Sequence, residues 1–202
     1  MGADQALRAV HTRPPTTGRP YPADAVTPAQ PLSEAERRLS GRLLRVDHAG
    51  EVAAQGLYQG QALTAHEPKV RERMQRSAEE ENDHLAWCDR RIETLGSYTS
   101  HLGPLWYLGS YTIGALAGLA GDRWSLGFVR ETERQVIRHL DEHLGRLPPQ
   151  DQESRAILEQ MKVDEAHHAY VAERAGAVEL PAPVRGLMRL VSKVMTTTAY
   201  WI

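Results

Sequence analysis

What the chain lacks narrows its class before any motif is read. It has one cysteine, Cys88, among 202 residues. That excludes a disulfide framework within the chain and any cysteine-rich iron site. Neither charge is in marked excess: 24 Lys and Arg against 26 Asp and Glu leave a formal charge of -2, and the isoelectric point is near 6.5. This balance argues against a nucleic-acid binder, which needs a basic face. No apolar core of a signal peptide opens the sequence. No Gly-x-Gly-x-x-Gly turn follows a strand-like segment, so no dinucleotide fingerprint is present.

Against that plain background one pattern occurs twice. Glu81-Asn82-Asp83-His84 and Glu165-Ala166-His167-His168 are both Glu-x-x-His. Residues three apart share a face of an α-helix, so each motif points a carboxylate and an imidazole the same way. Both fall on largely apolar stripes: Met74, Ala78, Glu81, Leu85 and Cys88 in one, Leu158, Met161, Glu165, His168 and Ala172 in the other. A carboxylate on a core-building face is costly unless something compensates its charge. One such motif usually marks a solvated face; two on apolar faces of separate helices call for a common cause.

That cause is a carboxylate-bridged di-metal bundle, in which two helices each supply one Glu and two others each supply Glu-x-x-His. The pattern requires a lone glutamate upstream of each motif. Glu51, on the face of Asp47, Ala54 and Tyr58, meets the need, as does Glu133, on the face of Leu126, Val129, Val136, Ile137 and Leu140. Glu131 points off that stripe and reads as solvated. Glu51 precedes Glu81 by 30 residues and Glu133 precedes Glu165 by 32, which suggests a repeated helix hairpin. Six ligands follow: Glu51, Glu81, His84, Glu133, Glu165 and His168, with Glu133 read as a bridging carboxylate. Four carboxylates balance two ferrous ions, and oxygen ligands with two imidazoles suit iron or manganese better than zinc or copper(I).

The expected fold is therefore all-α: a ferritin-like four-helix bundle with an apolar crossover helix and a C-terminal amphipathic helix. Residues 1–32, rich in Pro, Thr and Ala, read as a disordered tail, and residues 33–202 as one di-iron domain that includes membrane-associating segments. Ser33-Glu34-Ala35-Glu36 has the form of a capping box. The first helix is expected from there through Thr64, with Gly41 and Gly50 as bend points. The second opens at Pro68 and runs to about Leu95. The third covers about 123–145, and the fourth starts at Asp151 or Ser154 and ends near Gly176.

Two segments exceed a minimal bundle. Residues 102–121 carry no charge but contain Pro104 and five glycines. About 16 helical residues reach roughly 24 Å, short of a hydrocarbon core of about 30 Å. The segment is thus expected to pack along the bundle with an apolar side exposed at a membrane surface; full burial is the alternative. In 183–202, Arg185, Arg189 and Lys193 recur every four residues while Leu187, Leu190, Val191, Val194 and Met195 take other sides. This basic amphipathic helix suits anionic headgroups, with Tyr200-Trp201-Ile202 as an interface anchor. Docking on the bundle with its charges in water is the plainer reading.

Asp164 could orient a ligand histidine from a neighbouring helix, and His139, six residues after Glu133, is a further candidate around the ligands. Each is equally well an ordinary solvated residue. His167 points about 100° from His168 and is not a ligand candidate. Cys88 reads as a small core residue.

Leu44-Arg45-Val46-Asp47-His48-Ala49-Gly50-Glu51, taken with both Glu-x-x-His motifs, resembles the demethoxyubiquinone hydroxylases of ubiquinone biosynthesis. The resemblance spans residues 44–168. It implies an O2-dependent di-iron monooxygenase that hydroxylates the ring of a demethoxyubiquinone-type polyprenyl quinol. It also implies two iron ions per chain, NADH as an external reductant, and peripheral attachment to a membrane surface, at the cytoplasmic face if the source is bacterial. A partner protein of ubiquinone biosynthesis is a further expectation. The ligand set alone also admits a ferroxidase or peroxidase, and the carboxylates alone admit a non-enzymatic lipid-binding protein.

Overall fold

The computed structural model describes residues 15–27 and 30–202. Among these it contains six α-helices, a short 3-10 turn at Pro22–Ala25, and no strand. The helices are α1 (Glu34–Thr64), α2 (Pro68–Thr94), α3 (Gly103–Leu119), α4 (Asp122–Arg146), α5 (Gln152–Arg174) and α6 (Ala182–Ala199). The arrangement is that of a ferritin-like helical bundle: hairpins α1/α2 and α4/α5 form it, α3 joins them, and α6 lies against α1 and α4.

Local chemistry sets the helix ends. Ser33 Oγ accepts from the Glu36 amide at 3.3 Å and the Glu36 carboxylate accepts from the Ser33 amide at 2.8 Å, completing the capping box. Pro68 takes the first turn of α2, where a missing N–H costs nothing. Asp151 caps α5 through the Ser154 amide at 3.0 Å. The same carboxylate holds buried Arg91 of α2 at 2.6 Å, tying the two hairpins together. At 31 residues α1 runs unbroken through Gly41 and Gly50, about 46 Å in length.

The core has two apolar layers. One contains Leu43, Leu44, Trp87, Cys88, Leu140, Ile157 and Met161. The other contains Tyr58, Met74, Ala78, Leu126, Val129 and Ala172. On each of α1, α2, α4 and α5 the Glu or Glu-x-x-His element falls in sequence between residues of these layers. The acidic side chains thus occupy a polar layer between two apolar ones.

Residues 102–121 pack along the bundle as expected, and their glycines form a packing seam. Gly114 lies so close to α1 that a Cβ would overlap the Leu57 carbonyl, and Gly60 of α1 meets the Tyr111 carbonyl in the same way. The other side of α3 is apolar and exposed, with Leu105, Leu108, Leu116 and Leu119 each more than half accessible. Among the described residues no helix is long and apolar enough to cross a membrane. Gly114→Val is expected to destabilise the protein by about 1–3 kcal/mol, because the side chain can be admitted only by parting two backbones. Gly109, with nothing within 4 Å of a Cβ, is the control. In thermal denaturation Gly109→Ala should melt at or slightly above the wild-type temperature.

Two expectations are corrected. Residues 15–27 are not a loose tail: Ala23 is buried in the first apolar layer, the Thr17 amide donates to Asp83 at 2.8 Å, and Arg19 pairs with Asp164 at 2.6 Å. Proline-rich composition signals only that a segment forms no regular structure; it does not preclude docking. Residues 1–14 and 28–29 lie outside the described residues. Glu131 is 8% exposed and accepts from Gln135 at 2.8 Å, so it is not solvated. Helix α6 docks through Ala199, buried against Val46 and Ala49 of α1, and leaves Leu187, Leu190, Val191 and Val194 exposed; Arg189 and Lys193 are also exposed, lining a cleft that faces α4.

Candidate metal centre

Four helices bring the six expected residues together. Exposure is 3% for Glu51, 0% for Glu81 and His84, 2% for Glu133 and Glu165, and 6% for His168. Their ligand atoms form two overlapping quartets, Glu51–Glu81–His84–Glu165 and Glu81–Glu133–Glu165–His168, each within 4.8 Å. Glu81 and Glu165 belong to both. Glu133 belongs to one only, although the sequence suggested a bridging place for it. Residue type could not separate these roles, because they depend on which glutamates sit across the bundle axis.

Within the first quartet His84 Nδ1 lies 2.8 Å from Glu81, 3.3 Å from Glu165 and 3.5 Å from Glu51. In the second, His168 Nδ1 lies 3.1 Å from Glu81 and 3.3 Å from Glu165. Both imidazoles thus aim Nδ1 inward. Each Nε2 points outward to a carboxylate: His84 to Asp164 of α5 at 3.0 Å, His168 to Glu80 of α2 at 2.7 Å. The two are equivalent by position, since each immediately precedes the glutamate of the opposite Glu-x-x-His. Glu80 was missed in the sequence, where Asp164 was noticed; the shared acidic residue before each motif was the available signal.

A carboxylate on Nε2 fixes a histidine's tautomer and orientation and leaves Nδ1 as a ligand. Tyr58, fully buried, donates its hydroxyl to Glu133. His139 does not join this group. Its ring lies tilted against that of His143, with centroids 3.9 Å apart, and its Nε2 faces Asp47, also at 3.9 Å.

The electrostatics are those of too many acids in too little water. Burial, and then repulsion from Glu81 and Glu165, pushes the Glu51 carboxyl well above the usual range. Burial, followed by Glu165 and Glu81, does the same at Glu133. At Glu81 burial is outweighed by the two imidazoles, and its carboxyl is lowered. Burial opposes charge on His84 and His168, but surrounding carboxylates overcome it and hold both imidazoliums above their ordinary range.

The donor set fits metal ions. Glu51 Oε2, both Glu81 oxygens and His84 Nδ1 are buried without a hydrogen-bond partner, although some stand within 3 Å of each other. Leaving such atoms unmatched costs about 1–3 kcal/mol apiece or more. Cations between them satisfy all four at once. Oxygen donors with two imidazoles and no thiolate match iron or manganese; Cys88 is buried and its thiol is pushed up by burial, with Asp47 and Glu51 adding to the effect.

A family profile described as ubiquinone biosynthesis protein COQ7 matches residues 38–199. The chain belongs to this family. A protein of Nitrosococcus oceani named 3-demethoxyubiquinol 3-hydroxylase is 61% identical over 98% of this chain and 92% of its own. Proteins of the same name from Bordetella petrii and Nitrosomonas europaea are 57% and 54% identical, over 98% and 100% of this chain and 88% and 96% of theirs. The match contains all six residues of the two quartets, as well as Asp164, Glu80 and Tyr58. The buried Glu/His clusters of this family member could hold metal ions.

Proposed function

We propose that the chain is a 3-demethoxyubiquinol 3-hydroxylase that inserts one oxygen of O2 into the ring of a polyprenyl quinol, using two iron ions per chain. The observation that carries this reading is the pair of overlapping quartets built from Glu51, Glu81, His84, Glu133, Glu165 and His168. Glu81 and Glu165, shared by both, would bridge the ions. Glu51 with His84 would complete one ion's ligands, and Glu133 with His168 the other's. When bound, such a pair of ions supplies the redox chemistry that activates O2.

The protein groups prepare the site in three ways. Asp164 and Glu80 hold the Nε2–H of His84 and His168, so that each Nδ1 presents a lone pair inward. The Tyr58 hydroxyl donates to Glu133, restraining that carboxylate and placing a proton at the edge of the centre. The apolar layers on either side exclude water, which strengthens every electrostatic interaction inside and protects the chemistry from side reactions.

The substrate class implies the remaining features. A polyprenyl tail keeps the quinol in a bilayer, so the enzyme must meet it there. The exposed apolar sides of α3 and α6 suit peripheral attachment to a membrane surface, at the cytoplasmic face in a bacterium. Reducing equivalents would come from outside the chain, with NADH or a ubiquinone-biosynthesis partner as donor.

The test is isotopic. Iron-loaded, reduced protein given a demethoxyubiquinol analogue and labelled O2 should yield a hydroxylated ring carrying the label, detected by mass spectrometry. Iron oxidation without labelled product would favour a ferroxidase, and no redox activity at all would favour a lipid-binding protein.

A further inference from the structure

We propose that the cleft between α4 and α6 binds the phosphate of an anionic glycerophospholipid headgroup. This deepens the membrane-surface reading above and rests on it for the source of the phosphate. The cleft, with a volume of about 560 Å³, contains none of the six residues of the metal centre. Arg138 and Arg146 approach it from α4, and Arg189 and Lys193 from α6. Glu142 is the only acidic side chain among its lining residues, so four cations face one carboxylate.

Such an arrangement is unfavourable by itself. Like charges across a cleft repel, and an amphipathic helix folding for its own stability would turn its apolar side inward. Here α6 leaves Leu187, Leu190, Val191 and Val194 exposed, and Arg189 and Lys193, exposed as well, line the cleft. Among the described residues no carboxylate lies within 4 Å of Arg146, Arg189 or Lys193, and Arg138 has only Glu131, at 3.7 Å. The neighbouring Arg185, by contrast, is paired with Glu179. The cations left facing the cleft are therefore available to an anion. Guanidinium groups with an ammonium suit phosphate oxygens.

The surroundings decide which phosphate. Leu187, Leu190, Val191 and Val194 on the outer side of α6 are 61%, 60%, 46% and 52% exposed, and Trp201 is 62% exposed beside the cleft. Arg42 holds the Trp201 ring at 4.7 Å, keeping the aromatic end in place. An apolar row next to a basic cleft fits a molecule with acyl chains joined to a phosphate. A free phosphate would use the cations but leave the apolar row in water.

The experiment uses the full iron-loaded chain and soluble short-chain lipids below their micelle concentration. Dihexanoyl phosphatidylglycerol, dihexanoyl phosphatidylcholine and inorganic phosphate are titrated separately by calorimetry. Phosphatidylglycerol should bind saturably at one site per chain, at least tenfold tighter than either of the others. Arg138→Gln with Arg146→Gln, both on α4, should weaken that binding at least tenfold with the iron content unchanged. Lys69→Gln with Arg76→Gln, equal in charge but distant in sequence, should not.

Inorganic phosphate binding as tightly as the lipid would overturn the lipid assignment in favour of a small-anion site. Absence of saturable binding, or equal binding by the Arg138/Arg146 variant, would overturn the site itself. Co-sedimentation with neutral and phosphatidylglycerol-containing vesicles separates the underlying reading. Failure to bind either vesicle while the short-chain lipid still binds would remove membrane attachment and leave the cleft. Equal vesicle binding by wild type and variant, with no preference for the anionic vesicle, would leave attachment and remove the cleft.

Discussion

Replacing Glu165 by alanine is expected to abolish hydroxylation and to remove bound iron, with turnover falling on the order of a thousandfold or more. The size follows from the place of the residue. Groups that only orient a ligand are worth roughly 10–100-fold in metal affinity or activity. Glu165 belongs to both quartets, so its loss affects both ions and should exceed that range. Stability gives a second readout that does not depend on turnover. A ligand that binds only the folded state stabilises it by about 2.7 kcal/mol at a hundredfold excess over its Kd. For a chain of this size that is roughly 5–10 °C in melting temperature. The wild type should gain such an increment on adding ferrous iron anaerobically; Glu165→Ala should not. If Glu165→Ala retained two ions per chain by metal analysis and melted with the full iron increment, the metal centre as drawn here would be wrong.

The legibility of this centre in the sequence came from a conflict between levels. Carboxylates at core positions break the apolar pattern of four helices, and such breaks mark function when they recur together. Glu51, Glu81, Glu133 and Glu165 could therefore be placed from periodicity and spacing, as could both inward-facing histidines. The roles within the set were not legible. Whether a glutamate belongs to one quartet or both depends on the offset between helices that are distant in sequence, and helical period says nothing about that offset.

Other features failed for reasons that are equally specific. The glycines of 102–121 look like helix weakeners when each is counted alone. Their use appears only when Gly114 is seen against Leu57 and Gly60 against Tyr111. The segment 15–27 has no period to read, yet it contributes Arg19, whose guanidinium reaches Asp164 and lies 4.9 Å from the centre of the Trp87 ring. His139 shares a helix with Glu133, but its partners come from Asp47 and from His143 one turn on. In the case of α6 the sequence showed two faces and no direction; the structure leaves both exposed, with Arg189 and Lys193 bordering the cleft toward α4.

The outer carboxylates carry the last prediction, which separates an orienting role from a purely structural one. Asp164→Asn and Glu80→Gln keep size and much of the packing but exchange a charged acceptor for a neutral amide. Each should weaken iron binding, by roughly 10–100-fold where the carboxylate is well enclosed. The two should not be equal. Asp164 is 15% exposed and further held by Arg19 at 2.6 Å, whereas Glu80 is 35% exposed and correspondingly screened. Asp164→Asn should therefore cost more than Glu80→Gln. Arg19→Ala, which leaves the Asp164 carboxylate in place but frees it, should fall below Asp164→Asn.

Because each carboxylate serves a different histidine, and the two histidines belong to different quartets, the separate losses should fall on separate ions. Anaerobic iron titration followed by Mössbauer spectroscopy can read this: each single variant should perturb one of two ferrous sites, and the double variant both. A uniform loss of both sites in each single variant, together with a lowered melting temperature before iron is added, would mean that Asp164 and Glu80 hold the bundle together and do not position its ligands.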